Sequence, residues 1–153
     1  MKWHSLSNYA SREKKQNELS VLNDFKSHYP DFPKGKIRKT ESPDFVVETG
    51  LYRRIGIELT LLLPSDSPAH SHSYKPAGMS REILELTIAR KEEKLPLYRG
   101  KRLDNIWLVI ITGESEQSPE MNVMNRIGNR DFGSRFDRVF LFDARTEQVH
   151  ILK

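Results

Sequence analysis

Two short segments, Asp44-Phe45-Val46-Val47-Glu48 and Arg54-Ile55-Gly56-Ile57-Glu58-Leu59-Thr60, constrain this chain more than any other feature. Both are rich in β-branched residues, and Thr49-Gly50-Leu51-Tyr52 joins them, so they predict a β-hairpin. Each also carries an acid among apolar neighbours. With the turn centred on Leu51, Asp44 and Glu58 fall directly opposite each other, with Cβ atoms roughly 5 Å apart. A turn centred one residue away breaks that match. On the second strand Ile55, Ile57 and Leu59 take one face, and Gly56, Glu58 and Thr60 take the other. Gly56 leaves room beside Glu58 for a ligand or another backbone.

Two opposed carboxylates repel each other unless one is protonated or a cation lies between them. Acids among β-branched residues are costly without such a partner. Two readings follow. The acids are solvated at strand ends or paired with Arg53, Arg54 or Lys39, or they hold a divalent ion. Mg²⁺ suits the second reading, because one or two carboxylates and waters hold it and phosphate oxygens take its remaining positions.

The hairpin sits within a regular alternation of elements. Ser11 to Ser27 reads as a helix, with Leu19, Leu22 and Phe25 at helical spacing and Pro30 and Pro33 closing it. Lys36 to Glu41, Asp44 to Glu48 and Arg54 to Leu63 read as strands. Pro64 to Gly78 is a Ser/Pro-rich loop with His70 and His72, and two histidines there make a weak metal site but a plausible flap over a substrate. Ser80 is an N-cap for a helix that runs to Leu95, where Pro96 ends or kinks it. Asn105 to Thr112 is apolar enough for a central buried strand. Ser118-Pro119-Glu120 starts a further helix that ends at Gly128, and Phe136 to Asp143 and Gln148 to Leu152 close the chain as strands. The expectation is one α/β domain over residues 1–153, with 1–10 as an N-terminal tail and 64–79 as a flexible loop.

On the helix after the hairpin, Leu84, Ile88, Lys91 and Leu95 fall on one stripe. Lys91 interrupts an apolar face, where a lysine needs a partner. It either reaches the carboxylate pair or snorkels to water. Lys94 lies one turn on. Glu18 shares a stripe with Leu22 and Phe25 on the first helix, and it either approaches the same site or sits in solvent beside Lys14 and Lys15.

Taken together, Pro43-Asp44, Glu58-Leu59-Thr60, the preceding helix with Glu18 and the following helix with its lysines resemble the PD-(D/E)xK nuclease-like superfamily. The order of elements from Ser11 to Thr112 is similar to that superfamily's restriction-endonuclease-like core, an αβββαβ mixed sheet flanked by helices, here with an additional C-terminal helix and strands. The resemblance implies Mg²⁺-dependent (or Mn²⁺-dependent) hydrolysis of phosphodiester bonds, with Asp44, Glu58 and the Leu59 carbonyl as metal ligands. Thr60 stands where the superfamily carries lysine. Some members supply that lysine from the following helix, which makes Lys91 the first candidate and Lys94 the second, with Glu18 assisting.

A net charge of +4 mildly favours a polyanionic partner. Lys36, Arg38 and Lys94 are the candidate nucleic-acid contacts, and DNA is placed ahead of RNA. There is no cysteine, which excludes a disulfide scaffold and a thiolate metal site and fits a cytoplasmic setting. Neither a secretory h-region nor a membrane-length apolar run is present, so no membrane partner is expected. Two readings from other classes stay open: an inactive member of the same fold serving as a nucleic-acid or protein interaction module, and an immunity-type protein that binds no nucleic acid. A homodimer or larger complex is compatible with each.

Overall fold

The computed structural model describes residues 17–50, 52–62, 80–112 and 132–153. The expected tail (1–10), the loop with His70 and His72, and the helix from Ser118 lie outside these residues. Helix α1 covers residues 17–28. It is followed by β1 (Gly35–Lys39), β2 (Phe45–Thr49), β3 (Arg54–Leu61), α2 (Arg81–Glu92) and a single turn, α3 (Leu95–Tyr98). A 3₁₀ turn (Arg99–Lys101), β4 (Asn105–Thr112), β5 (Arg138–Asp143) and β6 (Gln148–Ile151) complete the order.

The six strands among the described residues form one sheet in sequence order. β1, β2 and β3 pair antiparallel, β3, β4 and β5 pair parallel, and β6 returns antiparallel on β5. The protein is therefore α/β with a mixed sheet. The parallel step from β3 to β4 requires a crossover, and α2 lies within it.

Alternation divides the core between the two faces of the sheet. In β4, Trp107, Val109 and Ile111 face α1, while Leu108 and Ile110 face α2. A strand covered on both faces has to be apolar throughout, which explains the uninterrupted run in the sequence. On the α1 face, Leu22 and Phe25 are fully buried, and the Phe25 ring stands 5.2 Å from Phe140 and 5.9 Å from Phe142. Each such side chain contributes about 1.5–3 kcal/mol by leaving water. Leu19, expected on this stripe, is instead 43% exposed, and Val21 packs partly against the core in its place. On the α2 face, Leu84, Ile88, Leu95 and Tyr98 pack with Leu108, Ile110, Val139 and Leu141.

The hairpin register matches a turn centred on Leu51, with Phe45 opposite Ile57, Val46 opposite Gly56 and Glu48 opposite Arg54. The space beside Gly56 is filled by protein rather than left for a ligand. A Cβ there would meet Leu103 Cδ1 and Pro43 Cγ, each at 2.8 Å. Glycine at this position lets the Pro43 segment, and with it Asp44, lie close against β3. Among the described residues no helix is long and apolar enough to cross a membrane.

Candidate functional site

Asp44 sits one residue before β2 begins, so the ladder ends at the Phe45–Ile57 pair. Its side chain takes over where the backbone stops: the Leu59 N–H donates to Asp44 Oδ2 at 2.8 Å. The N–H and C=O of a strand residue leave on the same edge, so the Leu59 carbonyl also points to the Asp44 edge. The main chain of Asp44 is held as well. Its carbonyl accepts from the Thr40 N–H at 2.9 Å and from Lys39 Nζ at 3.1 Å.

Lys39 organises this corner. Its Nζ lies 2.9 Å from Glu18 Oε2 and 3.8 Å from Asp44 Oδ1, and 4.7 Å from the centre of the Phe45 ring. Glu18 of α1 is thereby tied to β1 and to the start of β2.

Glu58 lies on the α2 face of β3 and is only 3% exposed. The Tyr98 hydroxyl donates to its Oε2. Burial, a side-chain hydrogen bond with Asp44 and the negative charge of Asp44 raise the Glu58 carboxyl from 4.5 to about 8. The charges of Lys91 and Lys94 pull in the opposite direction and are outweighed. Glu58 therefore keeps its proton at neutral pH.

A cleft of about 560 Å³ opens above these groups, lined by Glu18, Asp44, Glu58, Thr60, Lys91 and Lys94 among others. It sits at the carboxyl end of β3, where Leu61 pairs with Ile111 of the parallel β4. In open α/β sheets, strand ends of this kind commonly host ligands. Burial lowers the Lys91 ammonium, against the opposing pull of the Glu58 and Asp44 charges, and Lys94 lowers it further.

The structure gathers Glu18, Asp44, Glu58, Leu59, Lys91 and Lys94 around one cleft. Lys91 shares that space, yet among the described residues it makes no ion pair with either acid. The cation paired with Glu18 and Asp44 is Lys39. Two of the expected nucleic-acid contacts lie elsewhere. Lys36 is exposed on β1 outside the cleft, and Arg38 pairs with Glu48 at 3.1 Å. Both sit on an edge strand, and their alternation with Lys39 directs them to its other face.

Tyr98 reads in the sequence as core-edge packing or a base-stacking ring, and its bond to Glu58 is the contribution that sequence reasoning missed. A signal for it existed, because the stripe of Leu84, Ile88, Lys91 and Leu95 continues at helical spacing to Tyr98. Pro96 predicts a break or kink there, but Glu93 and Lys94 keep helical backbone angles and α3 brings the phenol to Glu58.

Among the described residues no group of three or more His, Cys, Asp or Glu side chains is placed to hold a metal ion. The donors that do converge are two carboxylates and the edge carbonyl of Leu59. All are hard oxygens lining one cleft, a set that fits Mg²⁺. No protein-family model, no curated protein and no solved structure matches this chain.

Proposed function

We propose that this protein is a PD-(D/E)xK-like nuclease that hydrolyses phosphodiester bonds of nucleic acid with a divalent cation, Mg²⁺ or Mn²⁺. One observation carries the reading: Asp44 and Glu58 line one cleft together with Lys91 and Lys94. The order of α1, the three antiparallel strands, α2 and the parallel β4 supports a restriction-endonuclease-like core.

Asp44, Glu58 and the Leu59 carbonyl would hold the cation. Bound there, it supplies Lewis acidity toward a phosphate oxygen and lowers the pKa of a bound water. The Leu59 N–H fixes the Asp44 carboxylate, and Lys39 neutralises part of its charge. Lys91 and Lys94 place positive charge in the cleft for the oxygens of a transferring phosphate. Lys91 thus takes the role that Thr60, also lining the cleft, has no charge to fill. Glu18 holds Lys39 in place from α1.

Incubation with DNA and with RNA in Mg²⁺ or Mn²⁺ tests this directly. Cleavage should occur and should be lost in Glu58→Ala. Cleavage that persists in Glu58→Ala comes from another enzyme and removes the reading.

A second reading, an inactive module of the same fold, is favoured by one observation: no lysine forms an ion pair with Glu58 among the described residues. Salt-sensitive DNA binding without metal binding or cleavage would select it.

A further inference from the structure

We infer that Tyr98 is a positioning residue that sets which cation the Asp44–Glu58 pair accepts, by leaving Glu58 one oxygen for coordination. This rests on the reading of the two acids as a cation site. The Tyr98 side chain is fully buried, with 0% exposure, and packs with Leu84, Ile88 and Leu108. Its hydroxyl therefore approaches Glu58 from a fixed wall, and it donates to Oε2. Oε1 takes no bond from the phenol and is the oxygen that a cation would take on loss of the Glu58 proton. Asp44 is restricted in the same manner, because the Leu59 N–H holds its Oδ2 at 2.8 Å.

Two carboxylates that each offer one oxygen suit a small ion of near-octahedral geometry that keeps several waters. Mg²⁺ is such an ion, whereas Ca²⁺ takes more oxygens and often grips a carboxylate with both. A phenol held on Oε2 removes the bidentate option. Tyr98 touches neither cation nor substrate in this scheme; it acts through the orientation of Glu58, as hydrogen-bond partners of ligating groups do elsewhere. The cation preference is thus assigned to a residue of the α3 turn, outside the hairpin that supplies the ligands.

Calorimetric titration of the full chain with Mg²⁺ and, separately, with Ca²⁺ tests the inference without reference to activity. The wild-type protein should bind Mg²⁺ more tightly than Ca²⁺. Tyr98→Phe keeps the ring and removes the donor. It should lower Mg²⁺ affinity by about tenfold while Ca²⁺ affinity holds or rises. Glu58→Asp, whose shorter side chain withdraws from the phenol, should narrow the Mg²⁺ to Ca²⁺ ratio in the same direction. If the wild-type protein binds Mg²⁺ and both variants keep the wild-type ratio, the role of Tyr98 is overturned and the cation site stands. A wild-type preference for Ca²⁺ overturns the role of Tyr98 without recourse to any variant. If the wild-type protein takes up neither ion, the cation site and the inference fall together.

Discussion

Tyr98 and Glu58, 40 positions apart in the sequence, meet at a buried hydrogen bond in which the phenol donates to Oε2 of the carboxyl. With Asp44 on its other side, Glu58 is held between a donor and a second acid in a nearly water-free position. Burial and the neighbouring Asp44 keep the proton on Glu58 well above the usual carboxylate range. Measurable consequences for stability, charge and packing follow.

Stability should depend on pH through Glu58. The native carboxyl loses its proton near 8, and the unfolded one near 4.5. Between these values the native protein binds more protons than the unfolded chain. The stabilisation is complete below 4.5 and is lost as pH rises toward 8. Chemical denaturation in a chelator should show a loss on the order of 5 kcal/mol across this window. Glu58→Gln should flatten the slope, since the amide stays neutral throughout; an unchanged slope assigns the dependence to another group.

Lys39→Ala should separate positioning from stability. The pair with Glu18 is partly exposed, at 30% and 23%, so its loss should cost no more than about 1 kcal/mol in a denaturation midpoint. Asp44 would lose its flanking cation and the Nζ bond to its carbonyl. Cleavage should therefore fall far more than stability does. Equal falls in both would reduce Lys39 to a structural contact.

Lys91→Met should have the opposite balance. Burial works against the Lys91 ammonium in the folded protein, so an apolar side chain of similar length should leave stability unchanged or raise it by less than about 1 kcal/mol. Nuclease activity should drop by at least about a hundredfold, the scale for removing a charge that stabilises a transition state. Full activity in Lys91→Met would move the role to Lys94 or Lys39.

Gly56→Ala probes the packing under the site. The added methyl would meet Pro43 and Leu103, each at 2.8 Å, and must push both aside. Overpacking of this kind costs about 1–3 kcal/mol. Movement of Pro43 carries Asp44 with it, so calorimetric cation affinity should fall along with the melting temperature. A variant with unaltered melting and affinity would show that the segment yields freely.

The hairpin acids, the stripe through Lys91 and the order of the described elements were legible in the sequence, because each is local. Strand alternation places Glu58 opposite Leu59, a turn centred on Leu51 sets the register, and helical spacing places Lys91 on an apolar face. The same arithmetic could not supply the partners of those groups. In the sequence Lys39 is one of three candidate cations for the acids, beside Arg53 and Arg54, and only the end of the β1–β2 ladder brings it to Glu18 and Asp44. Its neighbours Lys36 and Arg38 were drawn toward the site by charge, and strand alternation sends them elsewhere.

The sequence by itself determined an α/β chain, a hairpin with two acids opposed at its open end, and a lysine on a face that must be buried. The tertiary structure alone decided that Tyr98 caps Glu58, that Lys39 rather than Lys91 pairs with Asp44, and that Pro43 and Leu103 fill the space beside Gly56. The physical reason is the range of the interactions. Periodicity reports which face a residue takes, while hydrogen bonds and ion pairs depend on where separate elements come to rest against one another.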